Sequence, residues 1–177
     1  MASKMIVIEN TRFQFATNFA GDPEKDRFGS STRKGAIVIP DESQALELLD
    51  EGFNVKQTKP SAAWLAEHSE EEYESRYYVN IIMNFESTWP PRVYLIKENG
   101  EDVPLGSETV GMIDDIWVDN VTVVLNPYEG RNGKSLYVKS MEVYQKVDDD
   151  PISVRHNQRV AAARAQAQPD EEFIPFN

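Results

Sequence analysis

WVDNVTVVLNPYEGRNGKSLYVKSMEVYQKV, residues 117–147, alternates apolar and polar side chains on both sides of a glycine-containing centre. Alternation with a period of two is typical of β-strands that bury one face. The central EGRNGK supplies the glycines and polar residues of a turn, so this stretch predicts two antiparallel strands joined in a hairpin. A hairpin of this length indicates a protein built on a β-sheet.

The chain before this hairpin adds further short strands and few helices. Strand-like segments are MIVIENTRFQF (5–15), AIVIP (36–40), FNVKQTKP (53–60), RYYVNIIMNF (76–85) and RVYLI (92–96). A helix is expected in DESQALELLDEG, residues 41–52, because Asp41 can cap its start and Gly52 can end it. The acidic SAAWLAEHSEEEYES, residues 61–75, is expected to form a helical or irregular insertion. Because no strand–helix–strand rhythm is present, we predict a mostly β fold: a small antiparallel β-barrel with one or two helical insertions, with a β-sandwich as the alternative.

A low-complexity segment, RVAAARAQAQ at residues 159–168, follows the strand-rich part of the chain. We therefore predict one domain over residues 1–147 and a flexible linker with a disordered acidic C-terminal tip over residues 148–177. The chain ends in PDEEFIPFN, where three consecutive carboxylates precede apolar residues. Apolar side chains at a disordered terminus contribute no folding free energy unless something covers them. We expect this tip to bind another molecule.

Composition restricts the compartment and the partners. The chain has no cysteine, no apolar stretch of the roughly 20 residues that a membrane span needs, and no signal-peptide pattern at its start, so we expect a cytoplasmic protein without a membrane partner. Its net charge of −12 argues against a nucleic-acid partner unless the charges are segregated. Local positive excess does occur in RFGSSTRKG (27–35), NVKQTKP (54–60) and GRNGKSLYVKS (130–140).

The sequence offers little support for catalysis. GRNGKS, residues 130–135, has the wrong glycine spacing for a phosphate-binding P-loop and precedes a strand-like segment instead of a helix. The acidic groups Asp114-Asp115 and Asp148–Asp150 are better explained by a turn and a solvated tail than by a metal site. His68 and His156 have no partner at metal-ligand spacing. We predict a non-enzymatic protein with no cofactor and no metal.

Aromatic residues interleaved with cations in polar segments indicate single-stranded nucleic acid, whose unpaired bases stack on rings while cations contact phosphates. Phe19, Phe28 and Trp89 are expected to be exposed because each lies among Gly, Pro, Asn and charged residues. The complete predicted DNA-contact set is Phe19, Arg27, Phe28, Arg33, Lys34, Lys56, Lys59, Trp89, Arg92, Tyr128, Arg131 and Lys134.

The terminal DEEFIPF resembles the acidic tip of bacterial single-stranded DNA-binding proteins, which ends in aspartates followed by Ile-Pro-Phe. The shared residues include Ile174, Pro175 and Phe176, whereas Phe173 and the final Asn177 depart from that pattern. The resemblance implies that Asp170, Glu171, Glu172, Phe173, Ile174, Pro175 and Phe176 recruit replication or recombination proteins.

The body of the chain, from Asn18 to Tyr144, resembles a family of bacteriophage single-stranded DNA-binding proteins with an oligonucleotide/oligosaccharide-binding (OB) barrel. The resemblance lies in NFAGD, GFNVKQTKP, YYVNIIMNF, WPPRVYLI, VGMIDD and NPYEGRNGKSLYVKSMEVY. It implies an OB-like barrel that coats single-stranded DNA in phage replication or recombination, in the host cytoplasm. The alternatives are a β-barrel adaptor or virion-associated structural protein with a docking peptide, and a metal-dependent nuclease; self-association into a homo-oligomer is left open.

Overall fold

The structure is a computed structural model that describes residues 5–131 and 133–146, and residues 151, 152, 154–156, 158–160, 162 and 163. The described residues between 151 and 163 are helical, within the stretch expected to be a flexible linker. The predicted partner-binding tip, Asp170–Phe176, lies outside the described residues. Among the residues described, no helix combines the length and the apolar character that crossing a membrane requires.

Strands dominate the fold, as predicted. They are β1 (Ile6–Thr11), β2 (Arg33–Ile39), β3 (Lys56–Gln57), β4 (Tyr77–Met83), β5 (Arg92–Ile96), β6 (Asp102–Leu105), β7 (Val118–Gly130) and β8 (Gly133–Gln145). Within residues 5–131 and 133–146, the helices are α1 (Glu42–Asp50) and α2 (Ala62–Glu67), and short 3-10 turns occupy Pro23–Lys25, Glu70–Glu72 and Val110–Asp115. The mostly β fold with helical insertions is therefore confirmed.

All eight strands of the described residues belong to one mixed sheet whose main order is β1-β7-β8-β4-β2, with β3 on β4, β5 on β8 and β6 on β5. The predicted hairpin is the central β7–β8 pair, which is antiparallel over nearly its full length. The other edge of β8 pairs in parallel with β4 through one bridge, Ile82 to Tyr137, and then in parallel with β5. These two parallel pairings depart from the predicted antiparallel pattern.

The two ends of the strand order meet, so the sheet closes on itself. Just after β1, the Val38 amide donates to the Arg12 carbonyl and the Gln14 amide donates to the Ala36 carbonyl, both at 2.9 Å. Phe13 forms an isolated antiparallel bridge with Ile37. The sheet therefore forms a barrel, as predicted, in place of two stacked sheets.

The core follows the strand alternation. One inward row crosses five strands from Ile8 through Val123, Met141 and Val93 to Leu105, and each of these side chains is at most 5% exposed. Since successive residues of a strand face opposite sides of the sheet, the neighbours of this row point to solvent. The inward residues thus determine which side chains form the outer surface of the barrel.

Candidate nucleic-acid interface

The outer side of β4 carries polar and aromatic side chains. Val79, Ile81 and Met83 lie in the core, so Tyr78 and Ile82 point outward together with Asn80 between them. Lys56 of β3 lies opposite Tyr78, Lys34 of β2 lies opposite Ile82, and Tyr137 of β8 also pairs with Ile82. We call this set, Lys34, Lys56, Tyr78, Asn80, Ile82 and Tyr137, the β4 face. It contains no acidic residue.

A second ring extends the β4 face. Phe15, 54% exposed, packs edge-on against Tyr78 with ring centroids 5.2 Å apart and an interplanar angle of 89°. An exposed ring pair on a sheet surface is a platform on which an unpaired base can stack. Phe15 was not in the predicted contact set.

The sheet is open along one part of β4. On the edge toward β8, β3 pairs with Tyr77 and Tyr78, and β8 pairs with Ile82, which leaves Val79–Ile81 without a partner strand in the described part of the chain. A cavity of about 190 Å³ fills this gap, lined in part by Asn54, Asn80, Lys134 and Ser135. The unpaired backbone edge of Val79–Ile81 and the side-chain amides of Asn54 and Asn80 therefore face this gap.

Two neighbouring cavities continue this gap in both directions. One of about 190 Å³ shares Phe53 and Lys134 with it and reaches Tyr128. The other, of about 490 Å³, shares Ile82 and reaches Arg33 and Phe85. Because adjacent cavities share lining residues, we refer to the three together, from Tyr128 to Phe85, as the β4–β8 groove. Glu51, Glu86 and Glu129 stand among its lining residues.

The cations of the groove are held on aromatic rings. The Lys134 ammonium lies 5.1 Å from the centroid of Phe53 and hydrogen-bonds the Glu51 carbonyl. The Arg33 guanidinium lies 5.4 Å from the centroid of Phe85 and donates to the Phe19 carbonyl at 2.7 Å. Ring contacts and carbonyl bonds orient these groups without neutralising their charge. Both remain available to an anion.

An arm of residues 22–32 rises between β1 and β2 beside the groove, and Asp26 organises it. Its carboxylate accepts the backbone amides of Phe28 at 3.0 Å and Ser30 at 2.8 Å, and forms an ion pair with Lys34. The hydrogen bond from Lys34, followed by that from the Ser30 amide, lowers the pKa of Asp26 below its ordinary value. Asp26 is therefore ionised at neutral pH and balances the charge of Lys34.

Two exposed rings lie on the loops whose bases line the wide end of the groove. Phe28, at the tip of the arm, is 85% exposed, and the Arg27 guanidinium lies 5.7 Å from its ring centroid. Trp89, in the loop between β4 and β5, is 87% exposed. The bases of this arm and this loop, residues 31–33 and 84–86, line the same cavity of about 490 Å³. The exposure predicted for both rings is confirmed.

The exposure predicted for Phe19 is wrong. Its side chain is fully buried, and its ring packs edge-on against Phe13 with centroids 5.4 Å apart. The Asp114 carboxylate draws this segment inward, because it accepts hydrogen bonds from the Thr17 hydroxyl and from the Phe19 and Ala20 amides. The polar neighbours that suggested exposure, Asn18 and Asp22, hydrogen-bond each other, and Phe19 is too deeply buried to stack on a base.

The remaining predicted residues lie at different distances from the groove. Arg33, Tyr128 and Lys134 line it, and Lys34 and Lys56 belong to the β4 face. Arg131 is exposed at the β7–β8 turn and Lys59 is exposed after β3. Arg92 begins β5 beside Ser140, three residues beyond Tyr137 along β8. Their contact with DNA stays a prediction.

Sequence reasoning missed several lining residues. Tyr78, Asn80 and Ile82 could have been found, since the apolar alternation of RYYVNIIMNF places their neighbours in the core. Phe53 and Phe85 carried no such signal, because their roles depend on Lys134 and Arg33 arriving from other strands.

The side chains of the groove can bind a ligand, but the described residues show no recognisable catalytic or metal site. Asp114, considered above as half of a metal site, uses both carboxylate oxygens as acceptors for the loop around Phe19. No group of three or more potential metal ligands occurs among the described residues. GRNGKS lies in the β7–β8 hairpin, and the residues after Lys134 continue as a strand, so it is not a P-loop.

The family model described as "Putative phage ssDNA-binding domain" matches residues 2–171. The chain belongs to this family. The membership confirms the predicted resemblance to phage single-stranded DNA-binding proteins and the prediction of a non-enzymatic binding protein. A sequence comparison with curated proteins gave no match.

Three solved structures of phage proteins are similar to this one. The single-stranded DNA-binding protein from bacteriophage Enc34 in complex with ssDNA is 14% identical, with 83% of this chain and 88% of that chain covered and a TM-score of 0.43. A C-terminal truncation of the Enc34 protein is 14% identical, with 83% and 87% covered and a TM-score of 0.42. The single-stranded DNA-binding protein gp2.5 of bacteriophage T7 is 14% identical, with 83% and 89% covered and a TM-score of 0.38.

Proposed function

We propose that this phage-family protein binds single-stranded DNA with little sequence preference along the β4 face and the β4–β8 groove, and coats it during replication or recombination. The observation that carries the proposal is the composition of this surface. In a chain of net charge −12, the β4 face joins Lys56 and Lys34, whose charge Asp26 of the arm balances, to Tyr78 and Tyr137. Membership of the phage ssDNA-binding domain family supports the same ligand.

The physical mechanism combines stacking with phosphate contacts. Each base that stacks on a ring contributes about 1–3 kcal/mol, and stacking is available only to bases that are not paired in a duplex. Cations such as Lys134 and Arg33 contact phosphates and release counterions, which makes affinity fall as salt rises. Because rings and charges do not read base edges, this mechanism tolerates any sequence.

A tryptophan titration tests the proposal. A single-stranded oligodeoxynucleotide should quench the fluorescence of Trp89, with an affinity that falls steeply with salt, while a duplex of the same sequence should bind much more weakly. Trp89→Phe should remove most of the quenching. Trp117→Phe is the matched control, because Trp117 is 71% exposed but precedes β7 away from the groove, so its loss should leave the quenching in place.

The titration also gives the result that would reject the proposal. If the wild-type chain shows neither quenching nor a mobility shift at low salt, DNA coating is wrong and an adaptor function is the better explanation. Magnesium-dependent shortening of the oligonucleotide would indicate a nuclease instead.

We further propose that the barrel is OB-like, that the protein acts in the host cytoplasm, and that residues 170–176 recruit replication or recombination proteins. The closed sheet around the β7–β8 hairpin supports the first of these. The resemblance of DEEFIPF to bacterial acidic tips supports the recruitment role. Residues 148–169 separate the predicted barrel domain from the tip, enough chain to present the tip to a partner while the barrel holds DNA.

A further inference from the structure

Asp26 is an acidic residue at the centre of an arm that borders the proposed DNA groove. Its side chain is only 2% exposed, whereas Lys34, its ion-pair partner, keeps 43% of its side chain exposed. Besides Lys34, it binds the amides of Phe28 and Ser30, and its own carbonyl accepts the Gly29 amide at 3.1 Å. The backbone contacts of Phe28, Gly29 and Ser30 therefore converge on Asp26.

The Phe28 ring, at the tip of the arm, has few contacts of its own. Phe28 is 85% exposed, and among the described residues the ring contact recorded for it is the one with the neighbouring Arg27. Its position is consequently set by its backbone, which the Asp26 carboxylate holds through the Phe28 amide. A ring held in place before binding loses less conformational freedom when a base stacks on it.

We infer that Asp26 is a positioning residue for DNA binding: it strengthens affinity by fixing Phe28 at the edge of the groove, although its own charge repels phosphate. The inference rests on the proposed function. Charge alone gives the opposite expectation, because removing Asp26 removes a negative charge and releases Lys34 to contact a phosphate. Whether the loss of Asp26 weakens or strengthens DNA affinity thus distinguishes a positioning role from a purely electrostatic one.

The test is Asp26→Ala compared with Glu24→Ala in full-length protein, measured by single-stranded oligonucleotide titration. Both variants lose one carboxylate from the same arm, but Glu24 is exposed and its carboxylate has no hydrogen bond in the described part of the chain. We expect Asp26→Ala to weaken binding about three- to tenfold, the cost of ordering one side chain. Glu24→Ala should bind equally well or more tightly. Equal or tighter binding by Asp26→Ala overturns the inference.

A double-mutant cycle shows whether Asp26 acts through Phe28. In a Phe28→Ala background, Asp26→Ala should no longer weaken binding, since the ring that it positions is gone. The same loss in both backgrounds would overturn the inference. Hydrogen exchange without DNA gives an independent readout: the Phe28 and Ser30 amides should lose protection in Asp26→Ala, and unchanged protection would contradict the role. If the wild-type chain does not bind single-stranded DNA, the proposed function itself has failed.

Discussion

Phe28 and Phe19 lie nine positions apart in one loop and have opposite environments: the first is 85% exposed and the second is fully buried. The sequence around them is alike, since both stand among glycine and charged residues. What separates them is Asp114, nearly a hundred residues away, which binds the backbone beside Phe19. Local sequence could predict that both belong to an irregular loop, but burial required a contact that only the folded chain makes.

Substitution of these phenylalanines should have separable effects. Phe19→Ala should lower the free energy of unfolding by about 3–5 kcal/mol, because it leaves a cavity where the ring packs on Phe13. Phe28→Ala should leave the unfolding free energy nearly unchanged and weaken single-stranded DNA binding, since an exposed ring stabilises little but can stack on a base. Denaturant unfolding and oligonucleotide titration of both variants check this pair. A stability loss in Phe28→Ala equal to that in Phe19→Ala would contradict it.

A substitution at Gly35 would show how tightly the loop around Phe19 packs on β2. A Cβ atom at this position would lie 2.8 Å from the tip of the Phe19 ring and 3.0 Å from the Thr17 methyl group. Both neighbours are held in place, so we expect Gly35→Ala to destabilise the protein by about 1–3 kcal/mol through overpacking. Gly100→Ala is a useful contrast: nothing lies within 4 Å of its Cβ position, and its cost comes only from a φ of 83°. Thermal unfolding compares the two variants.

At the level of elements, period-two alternation identified β4, β5, β7 and β8, each of which buries one face. β2 was identified instead as a short apolar run, and its residues 35–39 are buried without alternation. The capping rule placed α1 correctly: the Asp41 carboxylate accepts the Ser43 amide at 3.0 Å. The parallel partners of β8 were not predictable, since nothing in SLYVKSMEVYQKV distinguishes an edge that pairs with β4 from one that pairs with β5. The open gap that forms the β4–β8 groove follows from this unpredicted pairing.

A charge placed on the β4 face should reveal whether DNA crosses it. Asn80→Asp is nearly isosteric and the position is exposed, so stability should change little, while repulsion of phosphate should weaken single-stranded DNA binding about tenfold. Gln145→Glu is the control, because Gln145 ends β8 roughly 25 Å along the strand from Tyr137. Titration at low salt measures both. If the two variants bind alike, the DNA does not follow the β4 face.

At the scale of the whole molecule, acidic residues are distributed unevenly over the sheet surface, although Glu51, Glu86 and Glu129 line the groove. The β4 face has no acid, whereas the outer side of the opposite strands includes Glu142 of β8, flanked by Thr122 of β7 and Tyr94 of β5, and Asp102 lies on β6. The net charge therefore does not describe the surface that a ligand meets. It also suits sequence-tolerant coating, because repulsion between acidic faces weakens contacts that do not involve DNA.

The acidic tip is expected to compete with DNA for the cations of the barrel. We propose that its carboxylates compete with DNA phosphates for the cations of the groove. Deleting residues 170–177 should therefore preserve or strengthen single-stranded DNA affinity, with the larger gain at low salt, and should abolish recruitment of replication proteins. Oligonucleotide titration and copurification from host extract measure the two effects. A variant with alanine at Phe173, Ile174 and Phe176 keeps every tip carboxylate, so it should lose recruitment without a gain in DNA affinity. Partner capture by the deletion variant equal to that of the full chain would show that another surface recruits the partner.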